Sequence, residues 1–342
     1  MLKKLFKRVT KKDESKKQIT SKTIEEHREA VLAKGRKFKY PIQYAKNKLV
    51  INTIVISLVA LALAGTFGWL QLYRFQNTSQ LAYRVTEFLR LSVATIDGER
   101  VLYSDYLKQY RSSIRVIERQ GGRISDDDSG RRQRNHYKRM ALDNAIVNAY
   151  VSKLAREKDI TISQRRIDDV LSTHLVSGDA QVTKSNFENL IRDNFGLSLS
   201  EYKRMFIELP LLRKDVSVRI DDNARETVQK LADQIRSDGS NFEELALDLG
   251  DRVVYESSSG LVGLLNQDGG RAVEASRLSV GQVSEPFLSR SGDSYYVIKL
   301  LNKTDDRVEY ATIRVPLTEL NRRIEQLRRD GKIREFISIP ED

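Results

Sequence analysis

The sequence predicts an α+β protein with an N-terminal transmembrane helix, a mainly helical domain and a small α+β domain with an antiparallel sheet. Three observations support this. Residues 49–72 contain no charged side chain. Apolar residues recur at helical spacing through residues 137–212, and apolar and polar residues alternate in residues 294–301 and 308–315. A period of 3.6 is typical of helices and a period of two is typical of strands.

The apolar segment predicts an uncleaved single-pass membrane anchor. A helix of 24 residues is about 36 Å long, which exceeds the ~30 Å hydrocarbon core of a bilayer. A buried helix of a soluble domain is one alternative, but such helices are rarely apolar on every face over this length. A cleaved signal peptide is another alternative. Its apolar region would be shorter, and no clear small-x-small cleavage site follows that region before Tyr73 and Arg74.

The charge distribution predicts the orientation of the anchor. Residues 1–48 hold 16 Lys/Arg and 5 Asp/Glu, and the whole chain has a net charge of +12. Basic residues beside a first transmembrane helix are retained in the cytoplasm, so we expect a cytoplasmic tail and extracytoplasmic residues 73–342 at the cell membrane. The basic character therefore belongs to the tail, which suits anionic lipid headgroups and argues against a nucleic-acid binder.

Beyond the anchor, the residues predict a strand hairpin followed by helices. Residues 93–101 form two short strand patterns around the turn signal Asp97-Gly98. Ser104 is expected to cap the next helix. Further helices are expected over residues 137–158 and 163–175, from Thr183 to Gly196 and from Ser198 onward, and residues 119–134 are expected to form a polar surface loop. The chain has no Cys, and its three His residues lack partners at ligand spacing, so we expect neither a metal site nor a cofactor.

Three stretches of this region resemble the N-terminal chaperone domain of SurA-type periplasmic foldases. They are residues 94–99 (ATIDGE), 142–171 (LDNAIVNAYVSKLAREKDITISQRRIDDVL) and 187–216 (FENLIRDNFGLSLSEYKRMFIELPLLRKDV). The resemblance covers roughly residues 91–215. It implies a domain that cradles extended apolar segments of unfolded proteins. The aromatic residues that we expect to contact such a peptide are Tyr106, Tyr110, Tyr202 and Phe206.

The following region resembles a parvulin-type (PpiC) peptidyl-prolyl isomerase domain. Residues 222–249 predict two helices broken at Asp238-Gly239. The stretches that carry the resemblance are DGSNFEELA (238–246), GLVG (260–263), LSVGQVSEPF (278–287) and SYYVIKL (294–300). The family's first strand is absent from its usual place. Residues 308–315 match it better, so we expect them to pair with residues 294–301, as in a circularly permuted parvulin.

The resemblance implies a degenerate catalytic site. Tyr296 and Thr312 stand at the two family His positions, and Arg252, with Asp251 beside it, stands at the Cys/Asp position. The segment 264–277, where the family has a Met and a Phe lining the proline pocket, has neither residue type. No confident catalytic residue is expected, although such a domain can still bind peptide.

These patterns predict six segments along the chain. They are a tail (1–48), the anchor (49–72), a stalk (73–90), a SurA-like domain (91–215), a parvulin-like domain (216–316) and a C-terminal helix with its tail (317–342). The favoured interpretation is a membrane-anchored foldase of the SurA/PrsA/PpiD type, with unfolded or newly secreted polypeptides as partners and little isomerase activity. Two alternatives stay open: an active prolyl isomerase and an envelope scaffold protein.

Overall fold

The computed structural model describes residues 21–39, 41–177, 180–238, 242–257, 260–266 and 268–340. The chain divides into two units, residues 1–70 and residues 71–342. The first unit holds α1 (Ser21–Lys39) and α2 (Pro41–Trp69), and a π-helical turn, Leu70–Arg74, follows α2. Between Lys48 and Arg74 the helix is long and apolar enough to cross a membrane, with a mean hydropathy of 2.3 in its most apolar window. This apolar segment matches the expected position of the anchor.

The second unit begins with a helix, a strand hairpin and two long helices. They are α3 (Gln80–Leu89), β1 (Ser92–Ile96), β2 (Glu99–Leu102), α4 (Tyr103–Arg119) and α5 (Asp128–Glu157). Asp97 and Gly98 both have positive φ, 47° and 79°, as a two-residue hairpin turn requires. The hairpin is therefore confirmed. Ser104 does not cap α4, because the helix begins one residue earlier.

A helical subdomain follows, with its own small core. Its elements are α6 (Gln164–His174), β3 (Val176–Ser177), β4 (Ala180–Gln181), α7 (Lys184–Phe195), α8 (Leu199–Tyr202) and α9 (Leu209–Ile220), with a π-helical segment, Lys203–Glu208, between α8 and α9. The side chains of Ser163, Thr183 and Ser198 accept hydrogen bonds from backbone N–H groups in the first turns of α6, α7 and α8. The expected starts of these helices are confirmed.

The next part of the chain forms an antiparallel sheet with helices on both faces. Its elements are α10 (Asp222–Asp238), α11 (Phe242–Leu249), a 3-10 turn (Gly250–Arg252), β5 (Val254–Ser257), β6 (Val262–Gly263), α12 (Arg271–Ser276), β7 (Phe287–Leu288), β8 (Ser294–Lys303) and β9 (Arg307–Pro316). The strand order is β5-β9-β8-β7, and β6 also pairs with β9. β8 and β9 pair from Ser294↔Pro316 to Lys303↔Val308, so the expected pairing of these two segments is observed.

The last elements return to the first part of the unit. They are α13 (Glu319–Arg329) and β10 (Ile333–Glu335). β10 pairs with β1, and Leu320, Ile324 and Leu327 of α13 are buried in the same cluster as residues of α4 and α5. We call residues 71–220 and 318–340 the helical core, and residues 221–317 the sheet domain. The C-terminal segment thus completes the helical core instead of forming a separate tail.

Asp221 marks the junction between these two regions and is only 3% exposed. One carboxylate oxygen accepts from the N–H of Ala224 at 3.0 Å, in the first turn of α10. The other accepts from the N–H groups of Thr318 and Glu319 at 2.8 and 2.9 Å, at the start of α13. A single side chain therefore caps the helix at which the chain enters the sheet domain and the helix at which it leaves.

The expected stalk is part of the helical core, which corrects that expectation. The backbone carbonyl of Leu72 accepts a hydrogen bond of 2.6 Å from the buried hydroxyl of Tyr103. Leu72, Tyr83 and Thr86 are buried, and α3 packs against α4. Burial of these side chains shows that the segment packs within the second unit from its first residues.

Candidate functional site

An open cleft separates the two apolar cores of the helical region. The larger core includes the buried residues of α4 and α5, and the smaller core joins α6, α7 and the π-helical segment. Between them lies a cavity of about 570 Å³. Its apolar lining residues are Val116, Ile117, Phe195, Met205, Phe206, Leu209 and Pro210. The cavity therefore offers apolar side chains to a ligand in water.

The geometry of one cleft wall follows from a proline. Pro210 has no N–H and cannot donate to the carbonyl four residues earlier, so a regular α-helix is disfavoured here. The chain forms the π-helical segment Lys203–Glu208 just before it. Met205 and Phe206 line the cleft from that segment, and Leu209 lines it from the next turn. Three large apolar side chains are thus presented along one wall.

A second cavity of about 210 Å³ extends the cleft toward a charged end. Both cavities are lined by Gln109, Asn148, Met205 and Leu209, so they form one continuous groove. The charged residues that line the second cavity are Arg90, Glu99, Arg100, Asp105, Lys108, Arg156, Glu201 and Arg204. The groove therefore passes from an apolar half to a half rich in charge, an arrangement suited to a polypeptide segment with both kinds of side chain.

Asp105 lies at the charged end, in the first turn of α4. Burial raises the pKa of this carboxyl, although the positive charges of Lys108 and Arg204 oppose the shift. Glu201 behaves differently. Burial raises its pKa, but hydrogen bonds from Ser198 and Tyr83 outweigh that effect, and the net pKa is lowered. At neutral pH the two carboxyls thus differ in how well their charge is compensated.

The four aromatic residues predicted to contact peptide lie in different environments in the structure. Phe206 lines the cleft and is 39% exposed. Tyr202 packs behind it, with ring centroids 4.9 Å apart, and so supports the wall. Tyr106 and Tyr110 are only 0% and 6% exposed, in the larger core. The expectation for these two is corrected, because their stripe on α4 faces the inside of the protein.

Sequence reasoning did not assign the remaining lining residues to a site. Met205 and Leu209 fall in the apolar pattern that predicts the helix, and the pattern alone does not show which of its members stay uncovered. Val116 and Ile117 lie near the C-terminal end of α4 and were not among the residues expected to contact a peptide. The sequence does contain one signal for these residues. The apolar residues among residues 202–212 cover a wider part of the helix surface than one buried face needs.

Two of the four positions that the resemblance assigns to a parvulin site, Thr312 and Tyr296, are buried in the structure. Thr312 is fully buried, and its Oγ1 has no hydrogen-bond partner among the described residues. Tyr296 is 7% exposed and is covered by the Phe287 ring, with centroids 5.7 Å apart. The exposed Arg252 donates to the carbonyl of Leu249 at 3.3 Å, and the side chain of Asp251 lies outside the described part.

Charged and aromatic side chains pair with one another on the face of the sheet beside Tyr296. The guanidinium of Arg271 lies over the Tyr296 ring, 5.3 Å from its centroid, and pairs with Glu256 at 2.5 Å. The hydroxyl of Tyr310 donates to Asp268 at 2.6 Å. Burial and this hydrogen bond raise the pKa of Tyr310. These groups are paired with one another, so they serve to fix α12 on the sheet.

The described residues contain no group of three or more His, Cys, Asp or Glu side chains that could hold a metal ion. A family model for the SurA-like N-terminal domain matches residues 42–214. No curated protein matches the chain. The matched range runs from the apolar helix to α9 and contains the residues that line the cleft.

Proposed function

We propose that this chain is a membrane-anchored extracytoplasmic chaperone for unfolded or newly secreted polypeptides. The premise is that the chain belongs to the family with a SurA-like N-terminal domain. The family match supports a chaperone-type function and the binding of unfolded chains. The anchor, the compartment and the state of the sheet domain are further parts of the proposal.

The observation that carries the proposal is the cleft within the matched range. Unfolded polypeptides expose apolar side chains, and burying one large apolar side chain contributes about 1.5–3 kcal/mol. The cleft offers Phe206, Met205 and Val116 on facing elements, with charged groups at the other end. Such a surface can hold extended segments of many sequences, because most of the contact is apolar and non-directional.

The membrane topology rests on the apolar helix and its flanking charge. The most apolar 18-residue window of the helix between Lys48 and Arg74 is 0% buried within the structure, and residues 49–72 carry no charge. Residues 1–48 carry a net charge of +11 (16 − 5). This asymmetry supports a cytoplasmic N-terminus and, with it, the proposal of an extracytoplasmic cleft.

The sheet domain is proposed to be a permuted parvulin-like domain with little or no isomerase activity. Support comes from the observed pairing of β8 with β9. It also comes from the burial of Thr312 and Tyr296 at the positions of the family's His residues. A side chain that other residues cover cannot touch a prolyl bond of a bound polypeptide.

The chaperone function is tested with the full chain in lipid nanodiscs and insulin that is unfolded by reduction. The chain has no Cys, so the reductant leaves it unchanged. We expect suppression of insulin B-chain aggregation. Phe206→Ser should weaken it by about 5–30-fold in the required concentration, equivalent to about 1–2 kcal/mol.

The matched control is Leu190→Ser, which changes a 49% exposed apolar residue on α7 that does not line the cleft. Equal losses in both variants would contradict the assignment of the cleft. Absence of suppression by the unmodified chain would overturn the chaperone function. In a parallel assay, isomerisation of X-Pro peptides should keep its uncatalysed time of tens to hundreds of seconds.

A further inference from the structure

Helix α3 carries an apolar face that the protein leaves uncovered. Leu81, Val85 and Phe88 follow one another at helical spacing and are 73%, 38% and 86% exposed, and the neighbouring Leu89 is 55% exposed. We call these four residues the outer face of α3. A face of this size on a soluble surface marks a contact with a partner or a membrane.

The opposite side of α3 is fixed to the helical core. Ala82, Tyr83 and Thr86 are buried, and the Tyr83 hydroxyl donates to Glu201 at 2.7 Å. The Ser79 side chain caps the first turn, and Arg90 ends the helix in the left-handed conformation. α3 is therefore apolar on two sides. Packing against the helical core needs only one of these sides, so it does not explain why the outer face is apolar.

Residues 71–74 follow the apolar helix that we propose as the anchor and belong to the same unit as α3. Leu72 is 6% exposed and is held through its carbonyl by Tyr103. Leu81 follows Leu72 by nine positions, which limits their distance to about 30 Å even if the chain is fully extended. Phe75, in this connection, is 66% exposed. If the anchor crosses a bilayer, the outer face lies within reach of the lipid surface.

The charges of this segment suit lipid headgroups. Residues 73–90 contain Arg74, Arg84 and Arg90 and a single acidic residue, Glu87. All three Arg residues are exposed, and a carboxylate oxygen of Glu87 lies 2.8 Å from the Tyr83 hydroxyl, whose single proton is donated to Glu201. Arg84 lies within the outer face itself, between Leu81 and Val85. Basic residues among exposed Leu and Phe are typical of helices that lie in the membrane interface.

We propose that the outer face of α3 and Phe75 insert into the headgroup–acyl boundary of the bilayer that holds the anchor, with Arg74 and Arg84 against lipid phosphates. This rests on the proposed membrane anchoring. The contact adds a second attachment next to the apolar helix and would hold the helical core against the membrane surface. The occupant is the lipid itself, because the chain connection and the charge both favour it.

The test uses single cysteines in the full chain, which has none of its own. Leu81→Cys and Phe88→Cys are labelled with the fluorophore NBD and reconstituted into nanodiscs of phosphatidylcholine and phosphatidylglycerol, with and without doxyl-labelled lipid. The controls are Val280→Cys and Leu265→Cys in the sheet domain, which replace residues 64% and 98% exposed. We expect doxyl lipid to quench both α3 labels at least about twofold and to leave both controls unchanged.

Quenching of the α3 labels no greater than that of the controls would overturn the proposal. So would an α3 label that responds only to reduced insulin, which would indicate a client site. Disulfides between protomers, formed by the unlabelled α3 cysteine variants under an added oxidant, would indicate a second copy and would also overturn it. The insulin assay on the same samples separates the two hypotheses. Suppression without quenching overturns the α3 contact alone, whereas quenching without suppression supports it and overturns the chaperone function. Failure of the chain to enter nanodiscs overturns both the anchor and the α3 contact.

Discussion

The helical core exposes the side chains that we propose to bind a ligand, whereas the sheet domain buries the side chains at its expected catalytic positions. The helical core leaves Phe206 and its apolar neighbours open to a cleft of about 570 Å³. The sheet domain buries Thr312 and Tyr296, the residues at the expected catalytic positions. An exposed apolar surface costs solubility and is retained where something binds to it. The difference favours peptide binding by the helical core and a structural or accessory role for the sheet domain.

The largest expected effect concerns the dependence of the helical core on its C-terminal segment. Leu327 is 8% exposed and packs in the large core. Leu327→Ala should lower the free energy of unfolding of the helical core by about 2–5 kcal/mol, because it removes a buried side chain and leaves a cavity. Urea unfolding followed by hydrogen exchange measures the loss region by region. Phe336→Ala, at a residue 46% exposed in the same segment, is the control and should cost far less. Equal costs would contradict the assignment of this segment to the core.

The second prediction concerns the junction between the two regions. Asp221→Ala removes the cap of α10 and the cap of α13 together. We expect a loss of about 2–4 kcal/mol, since each cap contributes about 1 kcal/mol and bonds to a buried charge contribute more. Thermal unfolding monitored by circular dichroism measures it. Asp222→Ala, at the exposed neighbour, should cost well under half as much. A loss confined to one of the two helices in hydrogen exchange would contradict the claim that Asp221 stabilises both helix starts.

A smaller effect is expected at the ion pairs that attach β10. Arg139 bonds both oxygens of Glu335, at 2.8 and 2.6 Å, and also contacts Asp143. The bonds with Glu335 hold the pKa of Arg139 above its ordinary value. Glu335→Gln should cost about 1–2 kcal/mol, because the pair is partly shielded from water. Glu99→Gln breaks the more exposed pair with Arg156 and should cost a few tenths, about 0.5 kcal/mol at most.

In the sheet domain, one substitution is expected to stabilise. The buried hydroxyl of Thr312 has no hydrogen-bond partner among the described residues, so Thr312→Val removes a desolvation cost. We expect a gain of about 1 kcal/mol in the free energy of unfolding of this domain, with unchanged suppression of insulin aggregation. Ser284→Ala is the contrasting control, because Ser284 accepts a bond of 2.9 Å from the N–H of Ile298 and its removal should destabilise. A loss of chaperone activity in Thr312→Val would indicate that the sheet domain takes part in binding the unfolded polypeptide.

The smallest effect concerns Asp105 in the charged end of the cleft. Its pKa is raised by burial in the folded protein, so its ionised form opposes folding. Stability is then highest below the unfolded pKa of about 3.9 and falls as pH rises through the folded pKa. Asp105→Asn should therefore be more stable than the unmodified chain at pH 7, with a gain that shrinks as pH is lowered toward 4. Urea midpoints at both pH values measure this, and a constant difference would contradict the stated cause.

Local patterns in the sequence were sufficient for most individual elements. The Asp97-Gly98 turn, the helix starts at Ser163 and Thr183 and the pairing of residues 294–301 with 308–315 are all observed. Each depends on neighbouring residues or on a turn of a few residues. The start of α5 was placed too late, because the cap Asp127 lies within the polar segment that was interpreted as a loop.

Long-range relations could not be predicted in this way. The pairing of Ala94 with Glu335 joins residues 241 positions apart (335 − 94), and no local signal specifies a partner strand so distant. The same reason explains the error at Tyr106. An apolar stripe on a helix looks identical whether another helix covers it or a client does, and only the packed structure distinguishes the two.

The most direct test of the account is a photo-crosslinking comparison between the two regions. Benzoylphenylalanine is placed at Phe206 in the cleft and at Val280, an exposed position of the sheet domain. The full chain in nanodiscs is then illuminated with reduced insulin. The account predicts crosslinked insulin at position 206 in about tenfold excess over position 280, a difference of about 1.4 kcal/mol in occupancy. Equal crosslinking, or an excess at position 280, would contradict the claim that the helical core binds the client.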